Sequence, residues 1–221
     1  MDGLAECLVA LGQRDEALRQ FRQVLALRPR VGWVWLHEGR LLEAMGRKPE
    51  AKDCFQKALA NPGRDVSTLV ELAGFCQSRG WFAAALENYT NALKLEPSDA
   101  QLQVGAGQNL AALGRYAEAV RYSGEAVRLA PGFAEAHLLH GVVLGQQDLL
   151  AEATEEFRQA VRLKPQLLDA RVNLGLALMD QGHSAEALEQ FEEVLRQNPS
   201  EPRALKYAQD LRSCVPARPP P

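Results

Sequence analysis

Residues 101–131 read QLQVGAGQNLAALGRYAEAVRYSGEAVRLAP, and this stretch decides the fold. Apolar residues recur every three or four positions through two segments, Gln101 to Leu113 and Tyr116 to Leu129. That spacing predicts amphipathic helices, and strand alternation is absent. Gly114 supplies a left-handed turn residue between the segments, and Pro131 stops the second. The stretch is a helical hairpin.

The hairpin repeats. Gly12, Gly46, Gly80 and Gly114 step by 34 residues, as do Ala17, Ala51, Ala85, Ala119, Ala153 and Ala187, while Phe21, Phe55, Tyr89, Phe157 and Phe191 keep the same phase. Six copies fit, at residues 1–30, 31–64, 65–98, 99–132, 133–166 and 167–199. A period of this length marks units that exclude water by stacking on their neighbours, so the chain is expected to be an all-α solenoid counted as one elongated unit. Small residues fall where the two helices of a copy must approach: Ala5, Gly39, Ala73, Gly107, Gly141 and Gly175 on the first helix, and the phase-locked alanines on the second. Glycine inside a helix costs about 1 kcal/mol relative to alanine, so its recurrence implies close packing. Leu8, Leu42, Leu110, Leu144 and Leu178, with Cys76 substituting once, are expected to face the aromatic series.

Beyond Pro199 the pattern changes. Leu205 and Ala208 are read as continuing the inward face, whereas Gln209 and Arg212 occupy the next packing positions, so residues 200–214 form a C-terminal capping helix with a solvated side. Residues 215–221 contain four prolines and are expected to be an extended or disordered tail. At the other end Leu4 and Leu8 are already required inside, with no cap before them, which leaves room for an upstream segment.

Composition excludes several function classes. Lys plus Arg total 25 against 28 Asp plus Glu, and the first hundred residues balance 13 with 13, so neither half carries the basic field that nucleic acid requires. Apolar runs fall short of the roughly 20 residues that span a bilayer, and no export signal opens the chain. Cys7, Cys54, Cys76 and Cys214 lie far apart without a CxxC pair, which points to a reducing, cytoplasmic compartment and away from zinc. His137 and His140 share a helix face but sit at packing positions, and they read as a satisfied pair, with no metal or other cofactor implied. Gly105 and Gly107 follow no strand and lie inside a helix, so they form no nucleotide loop. The sequon at Asn88 contains a packing aromatic, Tyr89, and is read as chance. The carboxylates at Glu155, Glu156, Glu192 and Glu193 line a solvated face. No residue set suggests catalysis.

The combined pattern resembles the tetratricopeptide repeat family, whose first helix carries an aromatic, a leucine and a small residue, and whose second carries alanine, aromatic, alanine and a closing proline. Trp35, Gly39, Leu42, Ala51, Phe55 and Ala58 carry the resemblance in the second copy. Leu69, Leu72, Ala73, Ala85, Tyr89 and Ala92, closed by Pro97, carry it in the third. Departures are Glu38 and His140 at leucine positions, Asp148 for the turn glycine, Ser123 for the aromatic, and an early Pro62 before Gly63.

The resemblance implies a right-handed superhelix of six helix-turn-helix repeats whose first helices line a concave groove. By the family's positions the lining is Trp33, Leu36 and Arg40 in the second copy, Val70 and Gln77 in the third, and Val104 and Gln108 in the fourth. It continues with Leu138 and Val142 in the fifth, and Val172, Leu176 and Met179 in the sixth. Leu36, Val70, Val104, Leu138 and Val172 form an aliphatic stripe, read either as a binding surface or as packing between neighbouring first helices. Relatives that clamp acidic chaperone tails need several inward cations, and only Arg40 qualifies. Relatives with an asparagine ladder are matched at one position, Asn173, the others being His37, Glu71, Gly105 and Leu139. The expected function is a noncatalytic adaptor that takes an extended peptide or amphipathic helix of another protein in this groove, without nucleic acid or membrane insertion. The alternative is a partner-recruiting arm of a larger enzyme or membrane assembly, and self-association through the uncapped first hairpin is a third reading.

Overall fold

The structure, a computed structural model, describes the backbone of residues 2–214 and the side chains there except at 2, 3, 6 and 214. Among the described residues every regular element is a helix. The first six are α1 (Asp2–Ala10), α2 (Arg14–Leu27), α3 (Gly32–Ala44), α4 (Lys48–Ala60), α5 (Val66–Ser78) and α6 (Phe82–Leu95). They are followed by α7 (Ala100–Ala112), α8 (Tyr116–Leu129), α9 (Ala134–Gly145), α10 (Leu150–Leu163), α11 (Leu168–Asp180), α12 (Ser184–Gln197) and α13 (Pro202–Cys214). The chain divides after Pro97 into two compact units, α1–α6 and α7–α13. Within each unit, consecutive odd- and even-numbered helices pack as hairpins, and α13 packs on α12. The expected tail at 215–221 lies outside the described residues.

Each hairpin turn closes in the same way. Gly114 adopts a φ of 72°, its N–H donates to the Ala111 carbonyl at 3.0 Å, and the Arg115 N–H donates to the Leu110 carbonyl at 2.9 Å. This Schellman arrangement satisfies carbonyls that the end of α7 would otherwise leave open. The acceptor of the bond that spans five residues is the carbonyl of the buried leucine in every copy, with Cys76 in its place once: Gln13 to Leu8, Arg47 to Leu42, Trp81 to Cys76, Leu149 to Leu144 and His183 to Leu178. One turn departs from glycine. Asp148 holds a φ of 61°, in the left-handed region that disfavours a side chain.

Helices within a hairpin approach until an aromatic ring occupies the place of a methyl group. A Cβ added to Gly39 would lie 2.5 Å from Phe55 Cε1, one on Gly141 2.6 Å from Phe157 Cε1, and one on Gly175 2.7 Å from Phe191 Cζ. The fourth hairpin, which has Ser123 in place of the ring, is completed from the next one. Leu139 of α9 approaches Gly107, whose added Cβ would meet its Cδ2 at 3.0 Å, and His140 Nδ1 lies 2.9 Å from Ser123 Oγ. Ser123 Oγ also lies 2.8 Å from the Ala119 carbonyl, to which it donates.

Two end positions differ from the sequence reading. Leu8 is buried, but Leu4 is exposed, and α1 packs chiefly against α2. On α13 the inward face is Ala204, Ala208 and Leu211, with Tyr207 stacked on Phe191 at 5.6 Å between centroids, and Leu205 faces outward. Ala204, Ala208 and Leu211 stand 34 residues after Ala170, Leu174 and Ala177, which α11 buries, so α13 keeps the repeat's register and Leu205 falls at the position of Arg171, which is not buried. Gln209 and Arg212 are exposed, and Arg212 pairs with Glu192 at 2.8 Å.

Gly141→Ala should destabilise the protein by about 1–3 kcal/mol through overpacking against Phe157, despite alanine's better helix propensity. Asp148→Gly should stabilise it by up to about 1 kcal/mol by removing left-handed strain. Urea denaturation midpoints of the two variants, moving in opposite directions, are the check.

Candidate functional site

In the first unit, α3 and α5 carry the expected groove residues of copies two and three. Leu36 is fully buried and works as packing, not as a contact surface. Trp33 and Val70 are half-buried, and Trp33 stands edge-on to His37 at 5.7 Å between centroids. Arg40 is exposed, but its charge is already answered: Arg40 Nη1 donates to Glu71 Oε1 at 2.7 Å, and His37 Nε2 lies 2.8 Å from the same oxygen. Three of the positions weighed from the sequence therefore form one latch between α3 and α5. Gln77 accepts from the Tyr89 hydroxyl at 3.1 Å, and burial pushes that phenol's pKa up.

In the second unit, α7, α9 and α11 carry the remainder. Val104 and Val172 are buried, so with Leu36 three of the five stripe residues are core. Leu138, Val142, Leu176 and Met179 are half-buried and packed on the core beneath them, and Gln108 is exposed. Val142 and Leu176, with Gln146, Asn173 and Asp180, border a cleft of 160 Å³ between α9, α10 and α11. The structure thus splits the expected lining by depth: some positions seal the seam between helices, and others nearby keep apolar surface toward solvent.

The histidine pair is satisfied internally. His137 Nδ1 lies 2.6 Å from Glu156 Oε2 and its Nε2 lies 3.0 Å from the Pro131 carbonyl, so both ring nitrogens are engaged. Burial lowers the pKa of His140, which contacts Ser123. Among the described residues no group of three or more His, Cys, Asp or Glu is placed to hold a metal ion, and no helix is long and apolar enough to cross a membrane.

Two cavities of the first unit escape the sequence reading. One, of 520 Å³, lies beside the half-exposed Trp81 and is walled by Phe55, Leu59, Lys48 and Lys52. The other, of 610 Å³, lies between α2, α3 and α4 and is lined in part by Arg22, Trp35, Glu38, Glu50 and Asp53. Its signal is the acid at a leucine position, which the family pattern registers only as weakened packing. Glu38 is 3% exposed, its Oε1 accepts from Arg22 Nε at 3.0 Å, and its Oε2 has no hydrogen-bond partner. Nearby Cys54 is a free, buried thiol whose pKa is pushed up to about 12, chiefly by burial and further by the Glu38 carboxylate.

A sequence profile described as tetratricopeptide repeat matches residues 3–66, 77–131 and 104–167, and a second of the same description matches residues 144–209. The chain belongs to the tetratricopeptide repeat family. As a tetratricopeptide protein it is, in broad terms, a protein-interaction scaffold. No curated protein matches it in sequence. Among solved structures it is similar to TTC0263, a thermophilic tetratricopeptide protein of Thermus thermophilus, with 25% identity and a TM-score of 0.62 over 82% of this chain and 100% of that one. YrrB, described as a tetratricopeptide protein with an unusual peptide-binding site, gives 20% identity and a TM-score of 0.62 over 86% and 97%. PilF of Pseudomonas aeruginosa gives 15% identity and a TM-score of 0.66 over 96% and 95%. For YrrB and PilF the likeness is one of fold.

Two outcomes follow from the buried polar groups. Glu38→Leu should stabilise the tetratricopeptide fold by about 1–2 kcal/mol, since an apolar side chain replaces a carboxylate with an unpaired oxygen; thermal melting reads this. His140, held neutral by burial, contributes stability that is present above its ordinary pKa of 6.5 and is lost as pH falls below it, because the unfolded chain takes up the proton first. Urea midpoints between about pH 7.5 and 5 should fall less in His140→Leu than in the wild type.

Proposed function

We propose that the protein is a noncatalytic adaptor and that α9 and α11 of its second unit hold an extended peptide or amphipathic helix of a partner protein. The observation that carries this reading is the half-buried apolar set Leu138, Val142, Leu176 and Met179 beside the cleft at Asn173. Its side chains are fixed from below by the core, so a ligand meets a preorganised surface and the ordering cost falls on the flexible partner. Burial of apolar area there is worth about 25 cal/mol per Å². The Asn173 amide, at the edge of the cleft, can donate to and accept from a peptide backbone. A protein of similar fold, YrrB, is described as having a peptide-binding site, which supports the same use of this architecture.

The α3–α5 face contributes less to this reading. Arg40 is tied to Glu71, so it is not an uncommitted cation for an acidic tail. The near balance of charge, 25 basic against 28 acidic residues, favours a protein over a nucleic acid as ligand. The free, buried thiols of Cys54 and Cys76 support a reducing, cytoplasmic setting.

Selection from a displayed peptide library should enrich sequences with apolar residues at helical or alternate spacing. Leu138→Glu combined with Leu176→Glu should weaken their binding at least about tenfold while the circular dichroism spectrum stays that of the wild type. Equal binding by the double variant, or no enriched peptide, overturns the assignment.

A further inference from the structure

The cavity between α2, α3 and α4 holds a carboxylate that the fold does not require. Glu38 occupies the α3 position that Leu72 and Leu174 fill in other copies, and leucine there would leave no polar atom to satisfy. Its Oε2 is buried without a donor, which is a cost that native proteins seldom leave standing. The donor at Oε1 is poorly matched. Arg22 offers Glu38 only its Nε, turns Nη2 toward Glu50 at 3.8 Å, and keeps 52% of its side chain exposed.

The surrounding charges are otherwise committed. Arg47 holds Glu50 through two hydrogen bonds of 2.6 Å, and Lys57 pairs with Asp53 at 2.6 Å while its Nζ sits 4.6 Å from the centroid of the Trp35 ring. Three carboxylates and two cations line the cavity, and Leu25, Ala26 and Leu42 add apolar wall. Glu38 is thus the buried acid with an oxygen to spare, in a space that Leu25, Ala26 and Leu42 line along with the Trp35 ring.

We propose that this cavity is a binding site for an arginine side chain of a partner protein. A guanidinium that meets Glu38 with its planar fork gives both carboxylate oxygens a donor, which Arg22 through Nε alone does not. The three methylenes of the incoming arginine lie along Leu25 and Leu42, and its charge rests near the Trp35 face that Lys57 now covers. Arg22 is the internal stand-in for the ligand, and the site opens when its half-exposed side chain swings toward Glu50. Lysine is disfavoured because a single ammonium cannot match two oxygens in parallel. The site shares no residue with the α9–α11 face, so the two assignments stand or fall separately.

The experiment titrates the full chain with acetyl-Gly-Arg-Gly-amide, with the same peptide carrying lysine, and with agmatine, and follows the Trp35 indole N–H by NMR. The arginine peptide should move that signal in the wild type and bind at least about tenfold more tightly than the lysine peptide. Glu38→Leu, which should melt no lower than the wild type, and Glu38→Gln should each weaken the arginine peptide at least about tenfold. Leu138→Glu with Leu176→Glu should leave this binding unchanged. No binding to the wild type at about 10 mM, equal affinity for the two peptides, or undiminished binding by Glu38→Leu overturns the proposal. Binding of agmatine without the arginine peptide overturns a partner's side chain as the source of the guanidinium.

Discussion

Everything in this fold depends on how closely two helices of a hairpin can approach. At Gly39, Gly141 and Gly175 the ring of the facing phenylalanine stands where a Cβ would be, within 2.5–2.7 Å of it. A ring so placed is in contact on nearly every side, and the sum of many small dispersion contacts makes each hairpin a rigid unit. The turns obey the same constraint. The carbonyl that closes each one belongs to the leucine, or once the cysteine, buried against the partner helix, so turn geometry and core packing are fixed by one residue.

That coupling explains what could be read from the sequence. Gly114, the phase-locked alanines and the aromatic series each need a particular residue type at a particular distance along the chain, and a 34-residue period records them faithfully. Positions where several residue types meet the physical demand are less legible. Leu205 and Ala204 are neighbours of similar apolar character, and hydrophobicity alone does not tell which of them turns inward. The aliphatic stripe suffers from the same ambiguity. Leu36, Val104 and Val172 have the composition of a binding surface, but their depth is set by the neighbouring first helix, which no single-residue pattern reveals. Pairings between copies, such as Arg40 and His37 with Glu71, are likewise invisible until the helices are placed in space.

The two cavities of the first unit show the opposite case, in which a departure from the pattern carries the information. An acid in a leucine position weakens packing when judged against the family, yet in the structure it defines the polar end of a 610 Å³ space. Stability and recognition pull in different directions at Glu38: the group that makes the cavity chemically distinct is also the one that burial penalises. Trp81 poses the same tension more mildly, because a large aromatic left half in water adds contact area at the expense of the hydrophobic stabilisation it would give if enclosed.

Repeat proteins are commonly regarded as interchangeable bricks, but the fourth hairpin here is not one. Its missing ring is replaced by Leu139 and His140, which belong to the fifth, so the two hairpins own a single interior between them. Gene-level deletion, duplication or shuffling at the boundary near residue 132 would strand Gly107 and Ser123 without a lid. The fourth and fifth hairpins therefore form a structural doublet, and removing either one alone would open the interior that they share.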